Sequence, residues 1–99
     1  MTAYGFYVEF EASPGREEDV AQFLAGAKAL VDQEPGTKAW FAFRVGTSSF
    51  RIFDAFDTEE DREAHLQGKV RQGIEAHPEL FRVPPTITPV DLIAAKLPH

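Results

Sequence analysis

The sequence predicts an α+β fold with the element order strand, helix, strand, strand, helix, strand. Three observations predict it: alternating apolar and polar residues near the N-terminus, an apolar stripe at helical spacing directly afterwards, and two aromatic-rich segments joined by a short polar connection. The 99 residues fit a single domain spanning 1–99, because domains usually contain about 100–200 residues. We therefore expect one sheet, covered on one face by two helices.

The first strand and the first helix follow from simple periodicity. Residues 4–12 form the strand, since Phe6, Val8 and Phe10 alternate with polar side chains. A helix then runs from about Arg16 to the Pro35-Gly36 pair, because acidic residues occupy its first turn and its apolar residues recur at spacings of three and four. This apolar stripe is able to cover a sheet.

The second and third strands form a hairpin. Residues 37–45 and 49–57 are rich in aromatic and β-branched side chains, and a short polar segment connects them. The second strand is apolar on both faces, since Trp40 and Phe41 point in opposite directions. Because the helices cover only one face of the sheet, the other face exposes an apolar patch that soluble monomers rarely tolerate. The pattern predicts a homodimer through that face.

The last third of the chain completes the sheet. Thr58 is placed to cap a second helical segment, which Gly68 and Gly73 interrupt, so a break is expected rather than one straight helix. Residues 86–96 form the fourth strand, in which Pro89 marks an edge or a bulge. The element order matches the split βαβ arrangement of a ferredoxin-like fold, βαββαβ with a four-stranded antiparallel sheet.

Composition and charge exclude several classes of function. Sixteen acidic and ten basic residues give a net charge of −6, which disfavours nucleic acids and anionic membrane surfaces as partners. The absence of Cys excludes disulfides and Cys-ligated metals, and the spacing of His65, His77 and His99 indicates no metal site. The chain begins without a secretory pattern and has no long apolar run, so a cytoplasmic location is expected.

Several segments together resemble the antibiotic biosynthesis monooxygenase family, which adopts the dimeric α/β-barrel fold. They are, in order, Pro14-Gly15-Arg16-Glu17-Glu18, Glu34-Pro35-Gly36, Phe53-Asp54-Ala55-Phe56-Asp57-Thr58-Glu59-Glu60 and Ala64-His65-Leu66. The similarity covers most of residues 4–70. It implies a ferredoxin-like monomer that pairs sheet against sheet, with a pocket for a flat aromatic molecule between sheet and helices.

The resemblance implies a cofactor-independent monooxygenase. Characterised members oxidise quinols or polycyclic aromatic phenols with dioxygen, without flavin, haem or metal, so the implied partners are a small aromatic substrate and dioxygen. The family also contains haem-degrading enzymes, but Val8 stands where those carry Asn and Phe56 stands where many relatives carry Trp. The haem-degrading activity is therefore disfavoured.

His65 is the first catalytic candidate. It matches the family's His in the second helix, and an imidazole exchanges protons near neutral pH, so it could accept the proton that a phenolic substrate loses before it reduces dioxygen. The alternative is a helix histidine bonded to a neighbour or to water. Asp61, one helical turn earlier, either orients the ring or faces solvent.

Asp54 is the second candidate. It stands on the third strand where relatives often carry Glu, among apolar neighbours that would destabilise its charged form, as suits a base or a polar partner of His65. The alternative is a structural cross-strand pair with Arg44. By alternation, four apolar residues face the helices and are expected to line the substrate pocket or simply the core: Trp40, Phe56, Phe6 and Val8.

Two other classes of function stay open at this point. The first is a non-catalytic dimeric barrel that binds a small aromatic metabolite in the same pocket. The second is an isomerase on the same scaffold, which would form product without consuming oxygen. Fold alone does not separate them from a monooxygenase.

Overall fold

A computed structural model describes residues 2–98. Its elements are β1 (Tyr4–Glu11), α1 (Glu17–Val31), β2 (Thr37–Arg44), β3 (Ser49–Phe56), α2 (Glu59–Leu66), α3 (Lys69–Ala76) and β4 (Thr86–Asp91). All strand pairs are antiparallel, and the sheet order is β2-β3-β1-β4. The predicted ferredoxin-like α+β fold is therefore confirmed.

The core lies between one face of the sheet and the helices. Phe6, Val8 and Phe10 of β1 are buried on that face, as their alternation predicts. Their partners across the β1–β3 register also point inward, namely Asp54, Ile52 and Phe50. Helix α1 covers them with its apolar stripe, whose buried members are Val20, Leu24, Ala27 and Val31.

The second helical segment is broken, as its glycines predict. Thr58 caps α2, because its Oγ1 accepts a hydrogen bond from the backbone N–H of Asp61 at 3.1 Å. The chain then turns at Gly68, whose backbone N–H donates to the carbonyl of His65 at 3.0 Å. A Cβ at Gly68 would lie 3.1 Å both from that carbonyl and from the carboxylate of Glu34, so the turn is tight. The break leaves His65 in the last turn of α2, close to the end of α1.

The fourth strand is shorter than predicted. It ends at Asp91 rather than at residue 96, because Asp91 pairs with Tyr4, the first residue of β1, and the partner strand goes no further. Beyond it Ile93 is 95% exposed. Pro89 lies on this edge strand, as expected, where a missing N–H is tolerated.

The face of the sheet away from the helices carries exposed aromatic side chains. Phe41 is 58% exposed and Phe43 is 43% exposed, whereas Phe53 between them and β1 is half-buried. The open apolar face that the sequence predicts is therefore present, and the homodimer stays a prediction. Within residues 2–98, no helix is long and apolar enough to span a bilayer.

Candidate active site

Asp54 lies in the middle of the sheet, beneath the helices. Its side chain faces Phe6 of β1 on one side and Trp40 of β2 on the other, and the residue is only 1% exposed. Its Oδ1 accepts a hydrogen bond from the backbone N–H of Phe6 at 3.1 Å. A carboxylate this deeply buried needs a partner, because an isolated buried charge is strongly destabilising.

His65 of α2 supplies that partner. Its Nε2 lies 3.0 Å from Oδ2 of Asp54, and its side chain is 10% exposed. The two groups are close enough to pair, and Oδ2 has no other hydrogen-bond partner among the described residues. Oδ2 therefore keeps a lone pair available beside the imidazole.

A second carboxylate holds the other side of the ring. Oε1 of Glu34 lies 2.5 Å from Nδ1 of His65 and also accepts a hydrogen bond from the Thr37 hydroxyl at 2.7 Å. The imidazole thus bridges two carboxylates, with Phe56 packed beside it at 5.2 Å between ring centroids. The position and orientation of the ring are therefore held from both sides.

Glu34 is a site residue that sequence reasoning missed. It appeared only as part of the Glu34-Pro35-Gly36 turn, 31 positions from His65. The strand register contains a signal for this contact. Thr37 at the start of β2 pairs with Phe56 at the end of β3, so the turn before β2 and the start of α2 lie at the same end of the sheet. A carboxylate in that turn could have been expected near the helix.

The environment of His65 favours its charged form. Burial lowers the pKa of the imidazole, but hydrogen bonding and charge from Asp54 and Glu34 outweigh burial, and the net pKa lies above the usual 6.5. Each carboxylate stabilises the imidazolium that forms when the ring takes a proton. The neutral ring is consequently a stronger base than an unpaired imidazole.

A small cavity lies against Asp54 and His65. Its volume is about 30 Å³, space for roughly two water molecules. Most of its wall is apolar, formed by Phe6, Val8, Phe10, Ile52, Leu66, Val70, Ile74 and Ile87, with Arg71 as a further polar group. A surface groove of about 330 Å³ adjoins it, because Phe6, Leu66, Arg71 and Ile87 line both spaces.

The four pocket residues predicted from the sequence divide into two pairs. Phe6 and Val8 line the cavity. Phe56 is fully buried behind His65, and Trp40 lines a separate groove between α1 and β2, with its buried Nε1 lacking a hydrogen-bond partner among residues 2–98. Alternation correctly places all four on the helix-covered face of the sheet. It does not specify which of them line the cavity beside His65 and which lie elsewhere on that face.

Two alternatives from the sequence are not realised. Arg44 does not pair with Asp54; its guanidinium donates to Glu18 at 2.8 Å and lies over the Phe50 ring. Asp61 does not reach His65, because its carboxylate lies against Gly36, where a Cβ would come within 2.6 Å of its Cγ. The partners of His65 are thus residues distant in sequence.

The described part of the chain contains no group of three or more His, Asp or Glu side chains that could hold a metal ion. The two carboxylates beside His65 bind opposite nitrogens of the ring, so they do not converge on one point. His77 pairs instead with Glu79, and His99 lies outside the described residues.

The chain resembles several solved structures over its whole length. A protein of unknown function from Nitrosomonas europaea is 46% identical, with a TM-score of 0.98 covering 100% of this chain and 97% of that chain. A candidate antibiotic biosynthesis monooxygenase from Chloroflexus aurantiacus is 16% identical, with a TM-score of 0.74 covering 95% of this chain and 96% of that one. A second candidate antibiotic biosynthesis monooxygenase, also from Nitrosomonas europaea, is 14% identical and has a TM-score of 0.81. The match covers 92% of this chain and 90% of that chain.

The two distant structures show that the chain shares the fold of these candidate monooxygenases. No protein-family profile matches the chain, and no curated protein matches it in sequence.

Proposed function

We propose that this chain, which belongs to the same family as the Nitrosomonas europaea protein of unknown function, is a cofactor-independent monooxygenase. Its substrate would be a quinol-like or polycyclic aromatic small molecule, and its oxidant dioxygen. One observation carries the proposal: His65 is held between Asp54 and Glu34 on the wall of a largely apolar cavity. Such a site can take a proton from an aromatic hydroxyl while excluding bulk water.

The first step is a proton transfer. In the neutral ring, Glu34 holds the proton on Nδ1, so the lone pair of Nε2 faces Asp54. Oδ2 of Asp54 accepts the substrate proton and passes it across 3.0 Å to Nε2. His65 is the final acceptor, Asp54 relays the proton, and Glu34 positions the ring.

The second step is oxidation of the resulting anion. An aromatic anion is electron-rich enough to reduce dioxygen directly, so the protein needs only to form it and hold it. One oxygen atom forms a new C–O bond, the other leaves as water, and the organic product is a quinone with two fewer hydrogen atoms than the substrate. Dioxygen receives four electrons, all of them from the substrate.

We also propose that two copies pair through the open face of the sheet. Phe41, Phe43 and Val45 are all exposed on or beside β2, and a soluble monomer rarely leaves such a patch uncovered. The family resemblance implies the same pairing.

Oxygen uptake by purified, metal-free protein tests the proposed activity. The substrates are a panel of quinols and anthrone-like phenols, and the variants are His65→Gln and Asp54→Asn. His77→Gln is the matched control, because His77 also pairs with a carboxylate but is exposed and lies outside the cavity. We expect uptake above autoxidation in the wild type and the control, and its loss in both site variants.

Two other results would replace the proposal. Binding of aromatic compounds that His65→Gln leaves unchanged, with no turnover, would indicate a binding module. Product formation without oxygen consumption would indicate an isomerase or another proton-transfer enzyme. Uptake that survives in both site variants would remove His65 and Asp54 from the mechanism.

A further inference from the structure

The groove outside the cavity has two arginines in its wall, on a chain that is acidic as a whole. Arg62 of α2 and Arg71 of α3 line it, against one acidic side chain, Glu63, although the whole chain carries a net charge of −6. The rest of the groove wall is apolar, formed by Phe6, Leu66, Ile87 and Pro89. This combination suits a ligand with a flat apolar body and one negative group.

Both guanidinium groups retain donors for a ligand. Arg71 lies 3.2 Å from Glu75 through its Nε, a largely exposed pair that holds it weakly, and its terminal nitrogens have no hydrogen-bond partner within residues 2–98. Arg62 is fixed more firmly: its Nη1 donates to the carbonyl of Val90 at 3.3 Å, and its guanidinium lies over the Phe6 ring at 5.5 Å. Arg71 therefore keeps its terminal nitrogens for an anion while its Nε pairs with Glu75, and the neighbouring Arg62 is held in place.

The sizes of the cavity and of the groove connect these arginines to the proposed reaction. A cavity of about 30 Å³ is too small for an aromatic ring, so only the reacting edge of a substrate reaches Asp54 and His65. The remainder must lie in the groove of about 330 Å³. Arg71 lines both spaces and Arg62 lines the groove, so a substrate with its hydroxyl in the cavity and its body in the groove lies against both guanidinium groups.

We infer that the substrate is an aromatic hydroxy acid. Its hydroxyl faces Asp54 and His65, and its carboxylate binds Arg71, with Arg62 beside it. Guanidinium–carboxylate pairs are among the strongest hydrogen-bonded contacts in proteins and are specific in geometry. This inference rests on the proposed function, because it assigns the second functional group of the same substrate.

Calorimetric titration under nitrogen tests the inference without requiring turnover. The probes are 6-hydroxy-2-naphthoate, whose hydroxyl and carboxylate lie at opposite ends, and the neutral 6-hydroxy-2-naphthamide. We expect the wild type to bind the naphthoate at least about 10-fold more tightly than the naphthamide, because a charge-assisted hydrogen bond contributes that much to affinity. The preference should disappear in Arg71→Gln. It should persist in Arg16→Gln, which removes an equal charge from an exposed arginine paired with Asp19 outside the groove.

The outcomes separate this inference from the proposed activity. Equal affinity for the two probes, a preference that survives Arg71→Gln, or binding of neither probe would each overturn the inference. Oxygen uptake on neutral quinols would still support the proposed activity in those cases. A preference that depends on Arg71, together with no oxygen uptake, would support the acid-binding groove and contradict the oxygenation.

Discussion

Replacing His65 by Leu removes the imidazole and leaves both of its carboxylates in place. Asp54 is 1% exposed, and without His65 its Oδ2 has no opposite charge beside it among residues 2–98. Removing one member of a buried ion pair costs about 3–5 kcal/mol, because the other charge stays buried and unpaired. Domains of this size have about 5–15 kcal/mol in total, so His65→Leu should lose a large part of the free energy of unfolding at pH 7.

Adding Asp54→Asn to His65→Leu should restore part of the lost free energy of unfolding. In His65→Leu with Asp54→Asn the leftover charge is gone, and the Asn side-chain oxygen can still accept the hydrogen bond from Phe6. The double variant should therefore lose less than the sum of the two single variants, with a coupling energy of about 1–3 kcal/mol.

Urea unfolding at pH 7, followed by the fluorescence of Trp40, measures all four proteins. The reasoning is refuted if His65→Leu costs less than about 1 kcal/mol, or if the single effects add within about 0.5 kcal/mol. Either result would mean that the buried carboxylate and the imidazole do not interact as a pair.

Further predictions concern pH, packing and assembly. The folded pKa of His65 is raised above its unfolded value near 6.5, so the contribution of His65 to the free energy of unfolding is complete below about pH 6.5. This contribution is lost as the pH rises through the folded pKa, by at most about 1.4 kcal/mol per pH unit. Urea unfolding at several pH values that shows no such decline would contradict the pairing. The rate of oxygen uptake should rise with pH through the same pKa, since the neutral ring is the acceptor, and a rate that falls would exclude this role. Gly5→Ala should destabilise the fold by about 1–3 kcal/mol, because a Cβ there would meet the backbone oxygen of Asp54 at 2.5 Å. Gly26→Ala, whose new Cβ on α1 would meet nothing within 4 Å, should instead stabilise the fold by up to about 1 kcal/mol, and urea unfolding measures both glycine variants. Light scattering should give twice the chain mass for the wild type and the single-chain mass for Phe41→Asp; a monomeric wild type would remove the proposed dimer.

The features that the sequence predicts well are local ones. The buried face of β1 follows from alternation at Phe6, Val8 and Phe10, and the cap at Thr58 and the break at Gly68 follow from backbone chemistry within a few residues. Each depends on neighbours in the chain rather than on the assembled fold. The element order, and with it the fold class, follows from the same local patterns.

Features set by contacts between distant segments were harder to predict. The pairing of Glu34 with His65 arises only once the turn before β2 and the end of α2 meet. The end of β4 at Asp91 depends on where β1 begins. The separation of Trp40 from the cavity depends on how α1 lies across the sheet, which alternation along β2 does not specify.

The central claim is that Asp54 and Glu34 together hold His65 as a proton-exchanging group at the cavity. Nitrogen NMR of the histidine rings, titrated in the wild type, in Asp54→Asn and in Glu34→Gln, tests it most directly. We predict a pKa for His65 above 6.5 in the wild type, a lower pKa in each variant, and a proton on Nδ1 in the neutral ring of the wild type. A wild-type pKa at or below 6.5 that neither variant changes would contradict the claim.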